Sequence, residues 1–366
     1  MSARLLGCFA AAMVLGTACQ CGRTAAEGDG GTTGDSGVGD AGGSGSDSGA
    51  PDGGALTDGG SDSGTLPDGG CPAPLSGTLY VDVTSAAGGN GSKACPFVTI
   101  TQGLTAAGSA AATTVIVEPG TYNAAAGETF PLEVPANVTL TGDLSSVGSR
   151  AAFVIDGSGP ATIGTQAINL GIHLVGELDF MTVTDTRKAA SYLIGVNAGT
   201  PKLTLATLTG GSSGILVTGE VGGTGAQFDI SEQCDISGAT QDGIVVDPLG
   251  GAAPTLTVTQ AAIHNNGNDG VRVAAAGGAG ATPNIKIGYA LLPACTLMKL
   301  PDACDIYCNA RYGVEASPAV NTGKVSAEGN AWHNDPPTSG TAPADVSSAL
   351  AVDDGCPAPA NQTVCQ

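Results

Sequence analysis

The sequence is short of positive charge, of aromatic rings and of histidine, and each shortage removes a class of function. Lysine and arginine together number 12 against 33 aspartates and glutamates, for a formal net charge of −21. A surface of that sign repels phosphate backbones, so nucleic acid is not an expected partner. It also disfavours a polysaccharide of uronic acids, whose groove would need Lys or Arg. The three histidines, at 173, 264 and 333, lie far apart in the chain. His264 follows an apolar core position and is expected to face solvent. With no Gly-x-Ser-x-Gly run either, a histidine-dependent triad is not expected. Cys304-x-x-x-Cys308 has no histidine at a zinc spacing, so neither a metal site nor a cofactor is expected. Beyond residue 18 no apolar run approaches the roughly 20 residues that a membrane span requires.

What the chain does have is glycine (59 residues) and a hydrophobic content of 42% with only 4% aromatics. That balance of Gly, Ala, Thr and Val suits short strands joined by tight turns around a packed core. Residues 1–18 have the layout of a secretory signal: Arg4, an apolar run Leu5–Leu15, then Gly16-Thr17-Ala18 before Cys19. The small residues before Cys19 resemble the lipobox of bacterial lipoproteins, with Leu15 one position early. The resemblance implies export, a lipid on Cys19 and a place in the outer membrane, at the cell surface or on the periplasmic face. Residues 19–70 carry nine acids, one Arg and repeated Asp-Gly-Gly and Asp-Ser-Gly units. They have almost nothing to bury and read as a disordered tether of about 40 Å mean span. The Asp-Gly units lack both EF-hand and glycine-rich nonapeptide spacing, so calcium has no assigned ligands.

The folded body is expected over 71–335, with 336–366 as a capping tail. Leu79–Val83 alternates like a strand, and Ile100, Leu104 and Ala107 share one face of a helix over Thr99–Ala107. Val115–Val117, Val138–Leu140, Phe153–Ile155, Ile168–Val175, Leu178–Val183, Leu203–Leu205 and Ile215–Val217 follow as strands. Such a series fits either an antiparallel sandwich or a parallel β-helix. Internal repetition decides between them. Ile236…Gly243-Ile244, Ile263…Gly270-Val271 and Ile306…Gly313-Val314 align, with the first two copies 27 residues apart and the third 43 further on. The excess implies an insertion at Tyr289–Ala303. The reading is therefore all-β: a single-stranded right-handed parallel β-helix of about nine or ten coils with a short N-terminal capping helix. The aligned Gly is expected at a corner needing positive φ, and Asn266 and Asn309 in a short ladder.

The stretch Tyr80–Gly142 carries Tyr80-Val81, a Gly-rich loop, Pro96-Phe97-x-Thr99-Ile100, Val115-Ile116-Val117-x-Pro119-Gly120-Thr121-Tyr122 and Glu128-x-Phe130-Pro131-Leu132. In that order these pieces resemble the N-terminal unit, a domain of unknown function, that opens many bacterial pectin-lyase-like β-helix proteins. The family often has an acid in the Gly-rich loop, where this chain has Asn90 and Ser92.

Eight cysteines, 71, 95, 234, 295, 304, 308, 356 and 365, fall outside the signal and tether, an even number that favours disulfides in an exported chain. Cys71 with Cys95 and Cys356 with Cys365 are the natural local pairs, and one pair is expected among Cys295, Cys304 and Cys308, with Cys234 as a candidate partner for the third. Polysaccharide lyase or hydrolase chemistry, which the superfamily contains, would need convergent carboxylates and a base. Asp229, Asp235, Asp242 and Asp269 lie on adjacent coils, with Asp242 and Asp269 before the aligned Gly, and Arg272 is the nearest base. Tyr289, Tyr307, Tyr312 and Trp332 could stack on sugars or close the end of the core. The expectation is a lipid-anchored, non-enzymatic β-helix that displays a face for glycans or envelope components. The alternative is a polysaccharide lyase or glycoside hydrolase, decided by whether Asp229, Asp242, Asp269 and Arg272 converge on one exposed face.

Overall fold

The computed structural model describes residues 70–316 except 75–76, 110–113, 165, 221–222, 250–251, 275–282 and 289–303, and beyond them 325–326, 331–332, 339–340 and 344–347. The chain divides into two units, Met1–Asp62 and Ser63–Gln366, and every described residue lies in the second. Cys19, the tether, the expected insertion with Tyr289 and Cys295, and Cys356 and Cys365 lie outside the described residues.

Three sheets run along the body, and each coil of chain gives one strand to each. The first sheet pairs Thr78–Val81 with Thr114–Val117 and continues to Val325–Ser326. The second runs from Gly120–Asn123 to Ala331–Trp332, and the third from Leu132–Val134 to the strands Ser339–Gly340 and Ala344–Ser347. All pairings between coils are parallel, which makes the body a parallel β-helix. The described residues form eight complete coils preceded by Thr78–Val81, fewer than the nine or ten expected. Part of the missing length is a hairpin, Gly159–Ile163 antiparallel to Gln166–Leu174, that projects from the second coil.

The core is a set of stacked apolar rows. Val115, Leu140, Leu178, Leu203, Ile230, Val258 and Ile287 follow one another in register and are buried. Ile236, Ile263 and Ile306, the aligned isoleucines, form another such row. A single coil cannot hide these side chains; each is covered by the coils above and below. The first coil is closed by the helix Ile100–Ser109, whose Ile100, Leu104 and Ala107 are buried. Glu128, itself buried, accepts the amides of Ile100 (2.6 Å) and Thr101 (3.0 Å) and thereby caps the helix N-terminus.

The corners correct the expectation for the aligned glycines. Positive φ falls at Phe180, Leu205 and Gln260 between the first and second sheets, and at Gly238, Asn265 and Cys308 between the second and third. Phe180 thus divides Leu178–Val183 into two strands. Gly243 and Gly270 are needed for space instead. A Cβ on Gly243 would come 2.6 Å from the carbonyl oxygen of Gly270 and 2.8 Å from Asn266 Nδ2. The asparagine ladder is present: Asn266 Nδ2 donates to Asn309 Oδ1 at 2.9 Å.

Outside the third sheet the hairpin builds a small second core. Ile163 and Leu170 pack with Leu216 and Val245, which point away from the main core, and all four are buried. In register beyond Leu216 and Val245 come Arg272 and then Glu315, where the outer face turns polar.

Candidate functional site

That polar end of the third sheet is where ionisable side chains converge. Asp242 and Asp269 precede Gly243 and Gly270 at the corner leading into the sheet, and both are buried, at 2% and 0% exposure. Asp242 Oδ1 accepts the amide of Asp269 at 3.3 Å, and its Oδ2 accepts Arg272 Nε at 2.7 Å. Asp269 repeats the arrangement one coil on. Its Oδ1 accepts the amide of Tyr312 at 3.1 Å and its Oδ2 accepts from Arg311 at 3.4 Å. Arg311 also donates to Glu315 Oε1 at 3.0 Å. Burial, with Glu315 beside it, pushes the Asp269 carboxyl up to about 7. The Asp242 carboxylate raises the Arg272 guanidinium against the lowering effect of burial.

Of the four residues expected to form a catalytic face, three meet here and Asp229 does not. It lies on the first sheet, in register with Lys202 and Thr257, with its carboxyl raised by burial. Asp235 is on the second sheet, where it accepts from Ser237 Oγ at 2.8 Å. Arg311 and Glu315 complete the cluster and are not among the residues expected. The third repeat copy contains both, but Tyr312 replaces the Asp there and hides the equivalence.

The aromatic residues do not form one platform. Tyr307 is on the second sheet, its ring stacked on His264 at 4.7 Å and 2°. One face is therefore covered. Tyr312 is at the third-sheet corner, with the Arg311 guanidinium 5.4 Å from its ring centre. Trp332 is in a second-sheet strand and Tyr289 lies outside the described residues. His264 does not face solvent freely: its side chain is 15% exposed and its Nε2 lies 3.2 Å from Asp235 Oδ2. His173, on the outer face of the third sheet, bonds Glu133 through Nδ1 and Asn197 Oδ1 through Nε2 at 2.8 Å. Those bonds, that to Glu133 foremost, raise its pKa.

Cys71 and Cys95 form a disulfide, and Cys308 is disulfide-bonded as well. Cys234 is a buried free thiol, pushed up to about 12 by burial. It precedes Asp235 as Cys304 precedes Asp305, and those positions are two coils apart. At about 4.8 Å per coil the separation exceeds the roughly 7 Å limit for a disulfide, so these two cannot pair. In the Gly-rich loop Asn90 and Ser92 serve to close the turn: Asn90 Oδ1 accepts the Ser92 amide at 3.0 Å, and Ser92 Oγ accepts that of Cys95 at 3.2 Å. Among the described residues no three His, Cys, Asp or Glu side chains are grouped as metal ligands, and no helix is long and apolar enough to cross a membrane.

Several solved structures are similar in outline. The Agl-KA catalytic domain is 19% identical with a TM-score of 0.43, over 77% of this chain and 45% of that one, so this chain spans less than half of that domain. Pectate lyase Pel9A is 12% identical with a TM-score of 0.36, over 79% of this chain and 81% of its own. The A-module of the Azotobacter vinelandii mannuronan C-5 epimerase AlgE6 is 15% identical with a TM-score of 0.20, over 69% and 94%. No curated protein matches the sequence. One family model does, over residues 84–286, well past the opening stretch and more than half of the chain; the protein belongs to the family described as "Protein of unknown function (DUF1565)".

Proposed function

We propose that this is an exported β-helix, held to the outer membrane by a lipid on Cys19, that binds carbohydrate or other envelope components without turning them over. The observation that carries the reading is how the converging carboxylates are used. Both oxygens of Asp242 and both of Asp269 accept hydrogen bonds from the next coil or from an arginine. A general acid or base must have its proton within reach of a substrate; these two groups instead fasten coil to coil. What they leave toward solvent is a set of polar side chains held by ion pairs, and a surface already held in place binds at a smaller ordering cost.

The test is to offer the full chain a glycan array and a panel of extracellular polysaccharides, following both binding and product release. Binding without product supports the reading, turnover of any polymer sinks its non-enzymatic part, and silence across the array sinks the carbohydrate part. Labelled palmitate should enter the wild type and be absent from Cys19→Ala; an unlabelled wild type refutes the anchor.

One observation favours a second reading, a glycoside hydrolase. Burial, with Glu315 beside it, raises the Asp269 carboxyl to about 7, and a carboxyl whose pKa is raised is the general acid such chemistry needs. Against it stands the complete burial of Asp269. Product release in the same experiment separates the two.

A further inference from the structure

Resting on the carbohydrate-binding reading, we propose that the strip of Arg272, Arg311, Tyr312 and Glu315 takes a neutral, hydroxyl-rich glycan segment and discriminates against polyuronates. Every cation in the strip already has its counter-charge. Arg272 is one-third exposed and held by Asp242, which is 2% exposed; Arg311 is 42% exposed and shared between Asp269 and Glu315. Asp247 adds a further negative charge felt by Arg272. An incoming carboxylate therefore finds no unmatched arginine, and meets Glu315, Asp247 and a chain of net charge −21. To bind, it would have to break a pair whose carboxylate is buried, which leaves an uncompensated charge.

A sugar hydroxyl faces no such obstacle. It donates and accepts at once, so it can bond a Glu315 oxygen and a guanidinium N–H while leaving both ion pairs intact. Glu315 is itself 25% exposed. The strip is also bounded. On one side the hairpin's apolar cluster covers Leu216 and Val245, and Arg272 and Glu315 follow Val245 in register. The one coil step from Arg272 to Glu315 is about 5 Å, the length of a single sugar unit of a longer chain, with the Tyr312 ring against Arg311 at its edge.

Calorimetric titration of the full chain with cello-, xylo- and mannohexaose, and with hexagalacturonate and hexaguluronate, decides the matter. At least one neutral probe is expected to bind about ten-fold or more tighter than either uronate. Glu315→Gln should weaken it by a similar factor with an unchanged melting midpoint, and Lys202→Gln on the first sheet should not. If Glu315→Gln melts early, protection of Arg272 and Arg311 from phenylglyoxal by the bound probe, mapped by mass spectrometry, gives the same decision. Tighter uronate binding overturns this inference and leaves the carbohydrate reading standing. Neutral binding that ignores Glu315→Gln and leaves both arginines unprotected overturns the placement of the site. Binding of no probe of either kind, with the glycan array also silent, overturns the parent reading.

Discussion

The amide of Asp269 donates to Asp242 Oδ1 across 3.3 Å, joining residues that hold the same position in consecutive coils. Arg272 then closes on the other oxygen of Asp242. Asp242→Ala removes a buried carboxylate that accepts from the Asp269 amide and from a one-third-exposed Arg272, so a loss of about 2–3 kcal/mol is expected. Asp229→Ala, at a half-buried first-sheet position, should cost about 1 kcal/mol or less. Guanidinium unfolding midpoints of the two variants measure the contrast, and equal shifts would show that the ladder does not hold the coils.

Glu128 does for the helix what Asp242 does for the coils. Its two oxygens receive the amides of Ile100 and Thr101 and the Thr101 hydroxyl, the last at 2.7 Å. Removing a capping carboxylate costs about 1–2 kcal/mol and loosens the first turn. In Glu128→Ala, hydrogen exchange should quicken at Ile100 and Thr101 and spread to the core residues Leu104 and Val115 that the helix covers. Glu128→Gln, which keeps an acceptor for one amide, should fall between. Unchanged exchange at Ile100 would mean that the cap is held by other contacts.

The architecture was legible because each coil repeats the last: Ile236, Ile263 and Ile306 align in the sequence and stack in the fold. The Cys71–Cys95 bond was legible from proximity and from the even number of cysteines. Of the site, the meeting of Asp242, Asp269 and Arg272 was legible, but their bonding and the site's border were not, for two physical reasons. An Asp before Gly reads equally well as a turn residue, and only the next coil's amide, supplied by stacking, shows Asp242 and Asp269 to be ladder carboxylates. The hairpin strand containing Ile168, Leu170 and Ile172 also reads as an ordinary rung. Nothing local shows that Leu170 packs outward on Leu216 and Val245, covering the face that ends at Arg272.

The two roles of glycine separate in a pair of variants. Gly238 has φ +69 at a corner where its Cβ would meet Thr209 Oγ1 at 3.3 Å, while Gly243 has ordinary φ but no room. Gly243→Ala must push back the Gly270 carbonyl, and overpacking of this kind costs about 1–3 kcal/mol. Gly238→Asn tolerates the left-handed region, as Asn265 does one coil on, and should cost well under 1 kcal/mol. Thermal midpoints check both. A Gly243→Ala protein as stable as the wild type would mean that the coils can spread to admit a methyl group.

His173 makes stability depend on pH in a definite direction. Glu133 can only accept, and Asn197 presents its oxygen to the other ring nitrogen, so the pair favours the charged imidazolium. The folded pKa is accordingly raised above the ordinary 6.5. The stabilisation is fully present below that ordinary value and is lost as pH rises through the raised one. Glu133 is 63% exposed, so solvent screening keeps the effect below about 1 kcal/mol. The melting midpoint of the wild type minus that of His173→Gln should be largest near pH 5.5 and shrink toward about pH 9. Glu133→Gln should flatten the same profile, because it removes the acceptor that holds the proton. A difference that grows with pH would instead place a neutral imidazole between the two side chains, with Asn197 donating to it.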